Sequence, residues 1–458
     1  MNSLFDISTR SGIRMDKYLQ AWSLRLFHGK DFATLPDAAR VAEQQRLAAS
    51  VKKLWKSFNA NRKNLEKHYL EDPEVLRAYA GSFLIPNVQR IFAIATSPEV
   101  SAALAYFATL DRPLRIMDFG AGPLAASTGI VAALCHENRL QFEISAIERS
   151  VPAFQLGKEL LTAAFANPER LKVSSATSVQ KVTGMADVIL AANVFNELPV
   201  AHREKTLRGL LEKLDDNGVA IILEPGQDVH ARDLSSLRNS LVKNPPFRFD
   251  ILAPCLHKKK CPLSAESERS DWCWFQNTWK PPMLLAELDR YSGLRHSELN
   301  YSYLVIQKTA PSATFKKPET PSYFARLVSD AITVGGAKNG SSFLRWARSN
   351  TIIDGDYFLE DAIPDTEFQK TLLCTRDGEL EAALGSRAPG RRGDLILEKD
   401  VPCRCQERTG LTNPKTGFST GERNRRDIEL HSPRSRTKPS TKKPVQLAGK
   451  AKSPKPHR

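Results

Sequence analysis

The chain has 458 residues, 41% of them hydrophobic, and a formal charge of +15, which is length enough for two or three buried cores. No apolar run reaches the ~18–20 residues of a membrane span, so a soluble protein without a membrane partner is expected. From Pro402 to Arg458 fifteen Lys and Arg face four Asp and Glu, so the body is near charge balance and the tail is the polycation. Seven cysteines with no recognisable secretory signal speak against a disulfide framework and for a reducing compartment.

Residues 1–95 read as a helical N-terminal domain. Leu47, Val51, Leu54 and Phe58 recur at helical spacing with mostly polar residues between them. The run from Tyr69 to Asn87 is expected to break at Pro73 and Pro86. The cap is either a structural amphipathic cover or a direct RNA contact. At Leu114 the period changes. Strands are predicted at 114–119, 141–147, 170–175, 186–194 and 218–226. The Leu207, Leu210, Leu211, Leu214 stripe forms a helix that Asp215-Asp216-Asn217-Gly218 should stop. Strands alternating with helices imply a doubly wound α/β sheet over residues 96–310. Tyr301–Lys308 is expected to supply its closing strand pair. Residues 311–401 read as a small β-rich module with a turn at Asp377-Gly378, and 402–458 as a disordered basic tail.

Asp118-Phe119-Gly120-Ala121-Gly122-Pro123 follows the first strand and opens a helix. Gly120 and Gly122 let backbone approach a ligand, and the helix start adds donors. Glu148 ends the second strand, where a carboxylate can accept both ribose hydroxyls. Asp118, Gly120, Gly122, Glu148 and, across the pocket, Asn193 are the candidate cofactor residues. The absence of a third glycine in G-x-G-x-x-G register favours S-adenosylmethionine over NAD. Asn193–Leu198, ending the fourth strand, is not the Asn-Pro-Pro-Tyr type that binds a planar amine, so no catalytic residue is assigned. Asn196 and Glu197 serve either that loop or the cap of the next helix.

Cys255, Cys261 and Cys273 lie in a Pro-, Lys- and His-flanked segment (253–280) and not in a hydrophobic pattern. Cys374, in an apolar Leu-Leu-Cys-Thr strand, is the candidate fourth ligand. Four thiolates complete a shell for zinc or for an iron–sulfur cluster. Cys135 reads as a core residue, and Cys403 and Cys405 are poorer candidates in the tail. His257 is a substitute ligand or a second-layer donor. Lys258, Lys259 and Lys260 either grip phosphate or form a solvated loop.

Together Asp72–Ala80, the 118–123 loop, Ala146–Ser150, Asn193–Leu198, Leu223–Gly226, the cysteine segment, Ser302–Val305 and Leu373–Leu380 followed by Gly393-Asp394 resemble one family. This is the methyltransferase-like small-ribosomal-subunit assembly proteins of bacteria and mitochondria, over roughly residues 65–400. The resemblance implies a class I methyltransferase fold, a 4Fe-4S cluster on Cys255, Cys261, Cys273 and Cys374, and binding of small-subunit rRNA and ribosomal proteins. It also implies a mitochondrial matrix location in a eukaryote or a cytoplasmic one in a bacterium. This chain departs from the pattern in three places. Leu124 replaces a frequent third glycine, the third strand ends without an acid, and Trp274 follows Cys273 in place of His. An rRNA-binding assembly or translation factor is the leading expectation, an active rRNA methyltransferase the alternative, and an iron or redox sensor a third.

Overall fold

Strand β1 (Leu114–Phe119) is the axis of the main sheet. It pairs in parallel with β2 (Phe142–Ile147) on one side and β4 (Ala186–Ala192) on the other, Ile116 lying opposite both Ile144 and Val188. Strand β3 (Leu171–Ala176) extends the sheet beyond β2, and β5 (Leu214–Pro225) extends it beyond β4. Strand β8 (Glu298–Lys308) runs antiparallel between β5 and β6 (Phe249–Ala253), and β7 (Phe275–Thr278) pairs with its first half. The order 3-2-1-4-5-8-6, with one reversed strand inside the edge, is the class I methyltransferase form of the doubly wound sheet. The computed structural model describes residues 13–30, 32–60, 69–135, 140–165, 167–264 and 272–310, and beyond them the segments 325–327, 332–334, 352–353, 357–358, 368–376, 380–385, 395–396 and 404–406.

Alternation along the strands divides the core between the two faces of the sheet. Ile116 and Val188 face α6 (Ala125–Leu134) and α7 (Val151–Ala164), while Met117 and Ile189 face α8 (Val200–Leu211) and α9 (Asp228–Lys243). The N-terminal helices α1 (Met15–Leu26), α2 (Asp37–Ala60), α3 (Pro73–Tyr79), α4 (Ile85–Ala95) and α5 (Pro98–Leu104) join the first face. Trp22, Leu47 and Val51 share one buried cluster with Ile130 and Val188. Helix α10 (Met283–Ser292) packs on α2. No single described helix is long and apolar enough to cross a membrane.

The expected break at Pro73 is present: a 3₁₀ turn ends at Glu71, and Pro73 opens α3 behind Asp72, whose carboxylate accepts from the Glu74 and Val75 N–H groups. Three local readings are corrected. Pro86 does not break the chain path. A π turn at Ala80–Leu84 absorbs the missing donor, and α3 runs on into α4. The Asp215–Gly218 run does not stop α8, which ends at Leu211; it lies inside β5 beside a register shift, with Asn217 at φ +61°. Residues 301–308 form one strand, β8, and not a pair.

The segment expected to be β-rich contains a six-stranded sheet. Strand β13 (Phe368–Thr375) pairs with β9 (Ala325–Leu327), β10 (Ile332–Val334) and β14 (Leu380–Gly385). Strand β15 (Leu395–Ile396) adds to β9 and β16 (Arg404–Gln406) to β14, so three residues of the expected disordered tail are strand. Strands β11 (Ile352–Ile353) and β12 (Tyr357–Phe358) form a separate pair. The rest of the tail, the Asp377-Gly378 turn and Gly393-Asp394 lie outside the described residues.

Candidate functional site

Strand order reverses at β1, so the crevice at the carboxyl ends of β1 and β4 is where such sheets bind ligands. The chain leaves β1 at Asp118, which is buried and accepts from the Ser127 N–H (3.1 Å) and hydroxyl (2.6 Å) in the first turn of α6. Burial pushes this carboxyl up to about 6, against the Ser127 hydrogen bonds that pull it down. Asp118 therefore anchors the loop from below. Gly120 has φ +69°, and a side chain there would collide with Val194, so the residue is glycine to let the loops after β1 and β4 touch. Gly122 has φ +49°, a Cβ there would meet nothing within 4 Å, and its N–H donates to Glu148 Oε2 at 2.8 Å. Leu124, at the position of the frequent third glycine, adopts φ +57° while fully buried. An αL leucine costs about 1–2 kcal/mol, a strain its burial offsets.

Glu148 Oε1 accepts from the Arg149 and Ser150 N–H groups, both at 2.7 Å. The carboxylate is thus held by three backbone donors, with acceptor capacity left on Oε2. Opposite, Asn193 has φ +56° and donates its N–H to Leu223 O at 2.7 Å. Glu224 organises the loop that follows. It is buried and accepts from Phe195 N (2.9 Å), Asn196 N (3.1 Å) and Asn196 Nδ2 (2.6 Å). Within Leu223–Gly226 the sequence alone does not mark this task for Glu224; an acid directly before Pro-Gly at a strand end is its local signal. Asn196 and Glu197 do not cap α8: its cap position is Pro199, and Glu197 accepts from Tyr69 Oη at 3.3 Å.

The cysteine segment lies against α9. Cys261 is buried, its N–H donates to Asn239 Oδ1 at 2.9 Å, and burial and then the neighbouring Cys255 push its thiol up to about 11. Buried His257 receives at Nδ1 the Lys259 N–H (3.1 Å) and an Arg238 N–H (3.4 Å). Two donors at Nδ1 leave the ring proton on Nε2, 3.4 Å from Cys374 Sγ. Cys374 thus reaches this loop through His257, from a strand more than a hundred positions away. The Cys273 carbonyl accepts from Ser302 Oγ at 3.0 Å. Cys135 is fully buried, which raises its thiol to about 12, and it is a core residue. Cys405 lies in β16, its side chain outside the described residues, as is Cys403. Lys258 is tied to Asp250 at 2.9 Å and lies over the Phe249 ring. Among the described residues no three His, Cys, Asp or Glu side chains stand together as a metal-holding group. The donors form two neighbouring pairs, Cys255 with Cys261 and His257 with Cys374.

Residues 93–340 match the family model described as mitochondrial small ribosomal subunit Rsm22. The chain belongs to the Rsm22 family. No curated protein matches it in sequence. Among solved structures it is similar to magnesium protoporphyrin IX methyltransferase of Synechocystis PCC 6803 with bound SAM, at 9% identity and a TM-score of 0.30, covering 57% of this chain and 97% of that one. It is also similar to the plantazolicin methyltransferase BpumL in complex with SAH, at 13% identity and 0.29, covering 59% and 98%. A third similar structure is the ribosomal protein L11 methylase of Lactobacillus delbrueckii subsp. bulgaricus, at 14% identity and 0.25, covering 46% and 77%. The fold of this Rsm22 family member rests on its strand order and not on these likenesses.

Proposed function

We propose that this Rsm22 family member is an rRNA-binding assembly or translation factor of the small ribosomal subunit, acting in the mitochondrial matrix if its source is eukaryotic. In this reading it holds S-adenosylmethionine at the 118–123 loop and a four-cysteine iron–sulfur cluster at the 253–280 segment. The observation that carries the cofactor half is the Gly122–Glu148 pair: an open glycine beside a fixed carboxylate at the switch point of the sheet. These residues fit the cofactor. Gly120 and Gly122 would admit its chain, Glu148 Oε2 would accept its ribose hydroxyls, and Asn193 would close the far wall. Bound there, the cofactor supplies a transferable methyl group. Among the described residues the polar side chains of the loop after β4 are taken up by structural bonds: Asn196 donates to Glu224, and Glu197 accepts from Tyr69 Oη. That favours a binding role over catalysis; active rRNA methylation is the second reading, supported by the geometry of the glycine loop.

The chemistry of the donor set suits a soft metal centre: Cys255 neighbours Cys261, and His257 of the same segment lies beside Cys374. Cys273 would have to close on the same centre to complete the shell. We expect the cluster to fix the loop and lower the ordering cost of binding rRNA phosphates. Division into an N-terminal helical part (1–95), the methyltransferase-like part (96–310), a module supplying Cys374 (311–401) and a basic tail (402–458) is part of this proposal.

Two measurements test it. Protein purified without oxygen should absorb near the iron–sulfur charge-transfer bands and contain iron, and Cys374→Ser should lose both; colourless zinc protein would replace iron with zinc. Calorimetry should detect S-adenosylhomocysteine binding, weakened by about 1.5–3 kcal/mol in Glu148→Ala. Equal affinities would refute the pocket.

A further inference from the structure

Helix α2 changes character half-way along its length. In its first half the cations are paired, Arg40 with Asp37 and Arg46 with Glu43. From Gln44 to Ala60 the chain has no acid, and Lys52, Lys53 and Lys56 lie within five positions of one another. All three are exposed, and among the described residues none of them makes an ion pair. Leu47, Val51 and Leu54 take the buried side of the helix. Lys52, Trp55, Lys56 and Asn59 recur at i, i+3, i+4 and i+7 and share a face beside it. Trp55 is 42% exposed on that face. Lysines alone would serve solubility. A tryptophan left open among three unpaired lysines does not, since its large apolar ring gains by leaving water.

The fold sets this face beside the carboxyl edge of the sheet. Asn59 closes the last turn of α2, its Nδ2 donating to Trp55 O at 2.8 Å while its Oδ1 accepts from Gln227 Nε2. Gln227 stands at the cap position of α9, just after β5. One residue earlier, Gly226 O accepts from the indole N–H of half-buried Trp272 at 2.8 Å. Phe58 meets Tyr69 edge-on, ring centres 5.7 Å apart, and Tyr69 donates to Glu197 in the loop after β4. The end of α2 is thus tied to the loops after both β4 and β5. Trp55 stands about 6 Å along the helix from that tie, carried by a helix and not by a loop. Three cations suit phosphates, and an open indole suits the face of an unpaired base. A duplex offers the phosphates and no free base face. An acidic peptide would answer the lysines alone.

We propose that the Lys52, Trp55, Lys56 face of α2, with Lys53 beside it, is a docking surface for single-stranded RNA. The lysines hold phosphates and Trp55 stacks an unpaired base. The inference rests on the rRNA-binding reading above and deepens it. It names the surface and the form of RNA, and it makes the helical cap a direct RNA contact as well as a cover for the sheet. The basic tail supplies general affinity; this face tells single strand from duplex.

The experiment is a fluorescence-anisotropy titration of full-length proteins at several salt concentrations. The probes are a labelled oligouridylate of about ten nucleotides and an RNA duplex of the same length. The tail is present in every protein, so its contribution cancels in the comparison. Trp55→Ala should bind the single strand about five- to a hundredfold more weakly than wild type, the loss of one stacked base. It should bind the duplex within twofold of wild type and keep the wild-type salt slope. Trp55→Phe keeps a ring and should keep the preference for the single strand. The triple variant Lys52→Gln, Lys53→Gln, Lys56→Gln, at three exposed positions, should flatten the single-strand salt slope by about 2, at roughly 0.7 for each phosphate released. Variants that bind both probes as wild type does would overturn this surface, leave the rRNA reading to the tail and the rest of the body, and direct the search for an occupant of this face to a protein. Equal weakening of both probes by Trp55→Ala would also overturn it, because stacking on an unpaired base cannot act on a duplex. A wild type that binds neither probe would overturn the rRNA reading, and this inference with it.

Discussion

Asp118 offers a test of the loop anchor that needs no ligand. Its carboxyl is pushed up to about 6 by burial, while an unfolded aspartate titrates near 3.9. The folded state therefore holds this proton more tightly than the unfolded one. The contribution is present in full below about pH 4 and is lost as pH rises through about 6. Two units of difference correspond to roughly 3 kcal/mol. Asp118→Asn removes the titration and keeps an oxygen that accepts from the Ser127 N–H and hydroxyl. Urea unfolding of both proteins at intervals from pH 4.5 to 7.5 measures the effect. The stability of the variant relative to wild type should climb across this range by about 2–3 kcal/mol and then level off. A difference that stays flat with pH would mean that Asp118 titrates as an ordinary carboxyl, and that the loop is not anchored on a buried acid.

The two loop glycines should part company. Gly120→Ala combines an αL penalty with a clash against Val194 and should cost about 2–4 kcal/mol in thermal or urea unfolding. Gly122→Ala meets no atom and should cost only about 1–2 kcal/mol, yet should weaken S-adenosylhomocysteine binding by filling the open space. At the opposite edge of the sheet burial pushes the Asp187 carboxyl up, but hydrogen bonds from Arg112 and Arg115 outweigh it and hold it down to about 2. That stability is present above about pH 4 and lost as pH falls through about 2, so Asp187→Asn should cost about 2–3 kcal/mol at pH 7 and little at pH 2 in urea titrations. Deleting residues 402–458, with their excess of eleven positive charges, should lower general RNA affinity and flatten its salt slope in filter binding.

The parts of the fold that were legible in the sequence are those where one short pattern decides the structure. The strands ending at Phe119, Ile147 and Ala192 are largely apolar runs closed by glycine, an acid or a polar turn, the edge strand ending at Ala176 is more polar, and the predicted spans lie close to the observed ones. The errors come from compensation at a distance. Pro86 reads as a break because proline lacks a donor; a π turn and the Trp22 indole, which donates to the buried Ala80 carbonyl at 2.8 Å, take up the mismatch. Asp215 to Gly218 read as a stop because local polarity hides a strand whose acids are paired elsewhere: Asp215 meets Arg115, and Asp216 meets Lys308 at 3.0 Å. Within the site Glu148 was legible from strand-end position alone. Glu224 was not, because its meaning lies in which backbone donors the fold brings beside it.

Two features of the chain lie outside the matched Rsm22 region of 93–340: the cap bearing Tyr69 and Leu70, and the strand bearing Cys374. Each reaches back to a loop of the methyltransferase sheet. The cap docks beside Glu148, where Ser150 Oγ donates to Leu70 O at 3.2 Å and Tyr69 meets Glu197. Cys374 docks on the cysteine loop through His257. Both contacts hold loops at the carboxyl edge of the sheet from outside it. A fragment limited to the sheet domain would therefore keep the glycine loop and lose the support that Leu70, Tyr69 and Cys374 give to the loops beside it.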